Sequence, residues 1–193
     1  MRDSFDKILL VAEVKTCSPF GYKADKSWEE QFELANRIGD IISIHTHEAW
    51  GGSFEDISRA RRLTKKPILA KGIHETDEEI IKAIRLGATY ALVVGRVPRL
   101  NPNFVREHCW IEPLSIDQIQ DVPEDLRLVW NSRDLQTGGL KKHTIMDVKR
   151  LWSGWLCMAS NLKTPEDVIN TPVAIDAVLI GTYLANFKHN RGF

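Results

Sequence analysis

The sequence predicts an α/β fold, a lean (β/α)8 TIM barrel forming one domain over residues 1–193. Three observations carry that expectation. Eight short apolar runs recur at even intervals: Ile8–Val14, Ile41–His45, Pro67–Ala70, Tyr90–Val94, Trp110–Leu114, Leu126–Trp130, Trp155–Met158 and Ala177–Ile180. Several are nearly continuous in Val, Ile, Leu and Ala, the composition of strands buried on both faces of a parallel sheet. Between them lie amphipathic segments with helix-start signals, and alternation of strand and helix over eight units is the pattern of a closed barrel.

The connecting segments bear this out in order. Ser27 opens a helix that runs through Phe32, Leu34 and Ala35 to Gly39. Ser53 and Asp56 have capping-box spacing ahead of Ile57 and a basic cluster, Arg59, Arg61 and Arg62, read as a solvated helix face. Thr76 to Glu79 starts a third helix, with Ile80, Ile81 and Ile84 turned inward and Gly87 as its stop. Thr164 precedes Pro165, a proline suited to the first helical position. The fifth unit is short: only Ser115 to Glu124 separates two strands, which leaves room for little more than one turn of helix. An open doubly wound sheet would alternate in the same way, but no GxGxxG follows the first strand, so no dinucleotide cofactor is expected.

The totals exclude several classes of function. Lys and Arg number 26 against 26 Asp and Glu, which removes the electrostatic case for nucleic acid or an anionic membrane. No apolar stretch reaches the ~20 residues a spanning helix needs. Met1 to Asp6 carries two acids where a signal peptide would lead into an apolar segment. Three scattered cysteines, Cys17, Cys109 and Cys157, without a CxxC, suggest reduced thiols and a cytoplasmic protein. The expected partner is a small molecule.

The first strand poses the functional question. Glu13 and Lys15 follow its apolar run and, two residues apart, share one strand face. At the C-terminal end of a barrel strand that face opens onto the mouth, where a carboxylate and an ammonium neutralise each other and meet ligand. A structural ion pair at the rim is the plainer alternative.

Ala12-Glu13-Val14-Lys15 with Ser18-Pro19 resembles the first-strand motif of indole-3-glycerol phosphate synthase, the barrel carboxy-lyase of tryptophan biosynthesis. The likeness continues through Ile42-Ser43-Ile44 with Gly51-Gly52-Ser53, Pro67 to Lys71, Leu86-Gly87-Ala88, Glu112-Pro113-Leu114, Asn131 to Leu135, Lys163 to Val168 and Asp176 to Thr182. It implies closure of an indole ring in 1-(2-carboxyphenylamino)-1-deoxyribulose 5-phosphate, with loss of carbon dioxide and water and no cofactor or metal. Lys71 would be the general acid, its pKa lowered by desolvation and nearby positive charge. Lys15 would assist it, Glu13 would orient the lysines, and Asn131 would hydrogen-bond the reacting end. Arg133 would clamp a carboxylate. Ser18, Ser160, Gly181 and Thr182 would hold the phosphate.

The chain departs from that family in three ways. The general base of strand five is expected two residues beyond Glu112-Pro113-Leu114, where Ile116 stands; Asp117 is the possible substitute. A Glu-Ser-Gly in strand seven reads Ala159-Ser160-Asn161. The family's N-terminal helical cover has no counterpart ahead of strand one, so a more open mouth is expected. Two other readings therefore stand beside the synthase: a paralogue with different acid-catalysed phosphosugar chemistry, and an inactive barrel that binds a phosphorylated ligand. Among remaining signals, His45 and His47 put two imidazoles on one strand face without a third metal ligand. Trp50 and Trp110 are expected near the mouth, with Trp28, Trp130, Trp152 and Trp155 between helices and barrel.

Overall fold

The computed structural model describes residues 8–187, so the stretch Met1 to Asp6 discussed above lies outside them. The strands are β1 (Leu9–Val14), β2 (Ile41–His45), β3 (Ile68–Lys71), β4 (Tyr90–Val94), β5 (Cys109–Glu112), β6 (Arg127–Asn131), β7 (Leu156–Ala159) and β8 (Ala177–Ile180). They close into a barrel in chain order, every neighbouring pair parallel, with β1 bonded to both β2 and β8. The helices are α1 (Trp28–Ile38), α2 (Phe54–Leu63), α3 (Asp77–Arg85), α4 (Pro102–His108), α5 (Ile145–Leu151) and α6 (Pro165–Ile169). None among the described residues is long and apolar enough to cross a membrane.

The caps explain the helix boundaries. Ser27, Ser53, Thr76, Thr144 and Thr164 each sit in a reciprocal capping box with the acid three residues on, so backbone N–H groups left free by the first turn find acceptors. The fifth unit is as short as the sequence implies. A 3₁₀ helix over Ile116–Asp121 replaces an α-helix there.

Strand alternation then sorts the side chains. Leu10, Ala12, Ile42, Ile44, Ile68 and Ala70 face outward into the layer shared with the helices. Val11, Ile41, Leu69, Leu92, Val129, Cys157 and Leu179 fill the barrel interior. Each fully buried aliphatic side chain of this kind contributes about 1.5–3 kcal/mol. Tyr90, Trp110 and Trp155 close the interior at the strands' N-terminal ends, with ring centroids 5.3 and 4.7 Å apart. This corrects the expectation for two tryptophans: Trp110 sits at the bottom rather than the mouth, and Trp155 lies inside rather than under the helices. Both follow from their positions at the beginning of β5 and β7, since in a parallel barrel all strand beginnings share one end.

Strand five ends earlier than its apolar run. Pro113 has no N–H to give to the sheet, so pairing stops at Glu112 and Leu114 is left exposed.

Candidate active site

At the opposite end the inward positions change character. Glu13, His45, Lys71, Glu112 and Asn131, one each from β1, β2, β3, β5 and β6, replace the apolar interior with a polar floor. Glu13 is only 3% exposed, and one of its oxygens, Oε1, accepts from Lys71 Nζ at 2.6 Å and pairs with His45 Nε2 at 3.0 Å. Asn131 donates from Nδ2 to Glu112 Oε1 at 2.9 Å, while its Oδ1 accepts from the Arg133 N–H at 3.0 Å. The amide is thus fixed from both sides and holds the Glu112 carboxyl in place.

The electrostatics follow from this packing. Burial opposes the charge on Glu13, but Lys71 and His45, with the His45 hydrogen bond and then Lys15, outweigh it, and Glu13 titrates well below the usual carboxylate range. Burial likewise opposes the Lys71 ammonium. The fields of Glu13 and Glu112 more than compensate, so its pKa stands above the ordinary lysine value rather than below it as the sequence suggested. The lysine with a lowered pKa is Lys15, through burial first, partly offset by Glu13, and then through repulsion from Lys71 and Arg133. Glu112 is pushed up, chiefly by burial, against the pull of Lys71 and the Asn131 hydrogen bond. One carboxyl is therefore held firmly ionised and the other is made the stronger base of the two, an arrangement that separates roles for two like groups in one cavity.

Above this floor the mouth divides into two connected chambers. One is mostly apolar, walled by Trp50, Ile73, Leu92, Val94 and Leu135, with His45 and Glu112 in its lining. The other is polar, walled by Glu13, Lys15, Arg133, Ser160, Asn161, Gly181 and Thr182, with Phe20 and Tyr183 at its edge. Lys71, Asn131 and Trp50 line both, so the ammonium stands at the seam.

No family model matches the chain. An indole-3-glycerol phosphate synthase from Sulfurisphaera tokodaii is 27% identical over 200 residues, covering 95% of this chain and 81% of that protein. Further proteins of the same name match at 25 to 29% identity over at least nine-tenths of this chain. The chain is thus similar over nearly its whole length to several indole-3-glycerol phosphate synthases, each at low identity. A putative N-acetylmannosamine-6-phosphate 2-epimerase from Caldanaerobacter subterraneus is 34% identical over a shorter stretch, 49% of this chain and 38% of that protein. Among solved structures, a 3-hexulose-6-phosphate synthase superposes with a TM-score of 0.64 at 13% identity, covering 94% of this chain and 97% of that one, which shows the shared fold.

Set against the indole-3-glycerol phosphate synthase resemblance, the site residues divide into those that line the mouth and one that does not. Glu13, Lys15, Lys71, Asn131, Arg133, Ser160, Gly181 and Thr182 line the two chambers. Ser18 does not: its hydroxyl accepts from the N–H groups of Phe20 and Tyr22, both at 3.3 Å, and so closes a turn in its own loop. Gly181 has a different reason for its lack of side chain than phosphate approach, because a Cβ there would run into Oε2 of Glu13. The 3₁₀ helix that follows starts only at Leu184. Just beyond strand seven, Ser160 and Asn161 both adopt left-handed backbone, at φ 64° and 57°, conformations that L side chains hold at a cost and that recur at ligand sites.

Strand five needs the largest correction. The sequence places the family's base position at Ile116, which cannot take a proton, with Asp117 as the substitute; but the strand ends at Glu112, and residues 116 and 117 lie on the 3₁₀ helix beyond it, with Asp117 exposed. Glu112 itself is the carboxylate at the mouth. Its signal in the sequence was its position immediately before Pro113, which marks the end of the strand. His45 is the other residue that sequence reasoning did not place in the site. The expected imidazole pair does not form: His45 is buried at the floor, whereas His47 is exposed and accepts from the Ala49 N–H to start the 3₁₀ helix Glu48–Trp50. Among the described residues no group of three or more His, Cys, Asp or Glu converges in the manner of a metal site.

Proposed function

We propose that the protein is a carboxy-lyase of the indole-3-glycerol phosphate synthase type, acting on 1-(2-carboxyphenylamino)-1-deoxyribulose 5-phosphate. The observation that carries this is the two-chambered mouth with Lys71 at the seam, since such a substrate has an aromatic end, a phosphate end and a reacting ketone between them. The apolar chamber suits the aryl ring, with Trp50 available for stacking. Ser160, Asn161, Gly181 and Thr182 suit the phosphate, and Lys15 and Arg133 suit anionic groups.

In this reading the ring carbon that bears the carboxylate attacks the ketone carbon, and Lys71 gives its proton to the ketone oxygen. The ammonium is charged at neutral pH because Glu13 and Glu112 hold it so. Carbon dioxide then leaves and returns its electron pair to the ring. The new hydroxyl departs as water on a proton from Lys15, whose lowered pKa makes it the readier acid, while Glu112 takes the proton lost from the adjacent carbon. Asn131 keeps Glu112 aligned, and Glu13 keeps Lys71 aligned.

A second reading is supported by Ala159, which leaves strand seven without its expected acid, and by the similarity to an enzyme named for a phosphorylated sugar. It is a paralogue with other acid-catalysed phosphosugar chemistry; an inactive barrel that binds a phosphorylated ligand is the weaker form of that alternative. The test is to incubate the purified protein with the carboxyphenylamino substrate and follow indole fluorescence. Turnover that falls at least 10³-fold in Lys71→Ala and Glu112→Gln supports the synthase reading, on the scale of general acid–base contributions. Saturable binding without any product overturns it.

A further inference from the structure

The proton arrangement on His45 follows from its neighbours. Glu13 is ionised, so it can only accept hydrogen bonds, and it pairs with His45 through Nε2. That nitrogen must therefore carry the proton. Burial, and the nearby ammonium groups of Lys71 and Lys15, outweigh the pull of Glu13 and keep the ring neutral at neutral pH. A neutral ring with the proton on Nε2 leaves Nδ1 as a bare acceptor.

Nδ1 has no hydrogen-bond partner among the described residues, although the side chain is 4% exposed. A buried polar atom without a partner is costly enough that it is rarely kept without a use. The ring lines the apolar chamber, with the Trp50 indole parallel to it at 5.8 Å. Nε2 is taken and one face is covered, so Nδ1, itself screened from solvent in the ligand-free protein, is the polar group that His45 has left to offer a ligand once the ring turns toward the chamber it lines.

We propose that His45 Nδ1 is a specificity-determining acceptor for an N–H or O–H donor carried by the aromatic end of the ligand. The chamber therefore selects planar apolar groups with a donor at this point and discriminates against the same groups without one. An aryl amine or an indole qualifies; an N-alkylated or purely hydrocarbon ring does not. This deepens the proposed function, on which the choice of an aromatic ligand rests. Discrimination by an otherwise unpaired buried acceptor is sharper than discrimination by size alone, because the wrong ligand leaves the acceptor still unsatisfied.

The probes are indole and 1-methylindole, nearly isosteric and differing in the N–H. With imidazole-¹⁵N-labelled wild-type protein, NMR at neutral pH is expected to show the His45 proton on Nε2. Indole is expected to move the Nδ1 resonance, and 1-methylindole is not. Calorimetry is expected to give at least tenfold tighter binding of indole. In His45→Gln the side-chain amide keeps a donor toward Glu13 but supplies no acceptor at the Nδ1 position, and the preference is expected to vanish. A protonated Nδ1 in the free protein, binding of neither probe, equal binding by wild type, or an undiminished preference in His45→Gln overturns the proposal. The NMR measurement needs no variant, so a poorly folding His45→Gln does not rescue it. Failure of the synthase reading is a separate outcome: the N–H preference would persist while the phosphorylated substrate gave no product.

Discussion

Glu13→Gln tests the centre of the argument with almost no change of shape. The carboxylate it neutralises is buried and faces Lys71 Nζ at 2.6 Å. Removing one partner of a buried ion pair costs about 3–5 kcal/mol, because the other charge stays behind uncompensated. Two features reduce that here. The Lys71 side chain keeps 17% of its surface exposed, and Glu112 supplies a second negative field. The expected loss is about 2–3 kcal/mol at pH 7. Its pH dependence is specific. Glu13 titrates below its unfolded value, so its contribution is present above the ordinary carboxylate range and is lost as pH falls through the lowered pKa. Lys71 titrates above its unfolded value, so its contribution is present below the ordinary lysine pKa and is lost as pH rises through the raised one. The stability gap between wild type and variant should therefore be widest across neutral pH and close at both ends. Urea denaturation at a series of pH values measures it, with equal m-values as the check that both unfold alike. A gap below about 0.5 kcal/mol at pH 7, the size of an ordinary surface change, would refute the reading of this pair as buried and mutually dependent.

Three further outcomes are expected. Gly181→Ala should displace Glu13, since its Cβ meets the carboxylate; an overpacking loss of about 1–3 kcal/mol in denaturation, with a fall in turnover beyond what reduced folding explains, is the expected signature. Ser43→Ala should stabilise the barrel by about 1 kcal/mol, because the Ser43 hydroxyl is fully buried without a hydrogen-bond partner among the described residues; thermal unfolding reads it as a raised Tm. Native protein should titrate with a thiol reagent at Cys17 alone, which is half-buried, whereas Cys109 and Cys157 are buried. Burial raises the Cys109 thiol to about 12 and the Cys157 thiol higher still, so both should react only on unfolding.

The barrel was legible because its signals are local. Apolar runs such as Ile41–His45 and Ala177–Ile180 mark strands by composition, and the reciprocal caps at Ser53 and Thr164 mark helix starts within four residues. Much of the site was legible for the same reason, since Lys71 and Asn131 end their strands in register with recognisable neighbours. Glu112 and His45 were not. Which residue ends a strand depends on where pairing stops, and at β5 the missing N–H of Pro113 decided that two residues earlier than the apolar run implied. Which of His45 and His47 turns inward depends on β2 ending at residue 45, after which the chain leaves the sheet.

The amino-acid order alone determined the eight-fold alternation, the inward and outward faces and most of the charged rim, because periodicity and capping act over a few residues. Only the closed barrel decided which groups share a proton. It brought Lys71 across 58 residues of chain to Glu13, raised its pKa where local chemistry suggested lowering, and left His45 Nδ1 without a partner. Burial and distance set those properties, and both are sums over strands that meet only when the sheet closes.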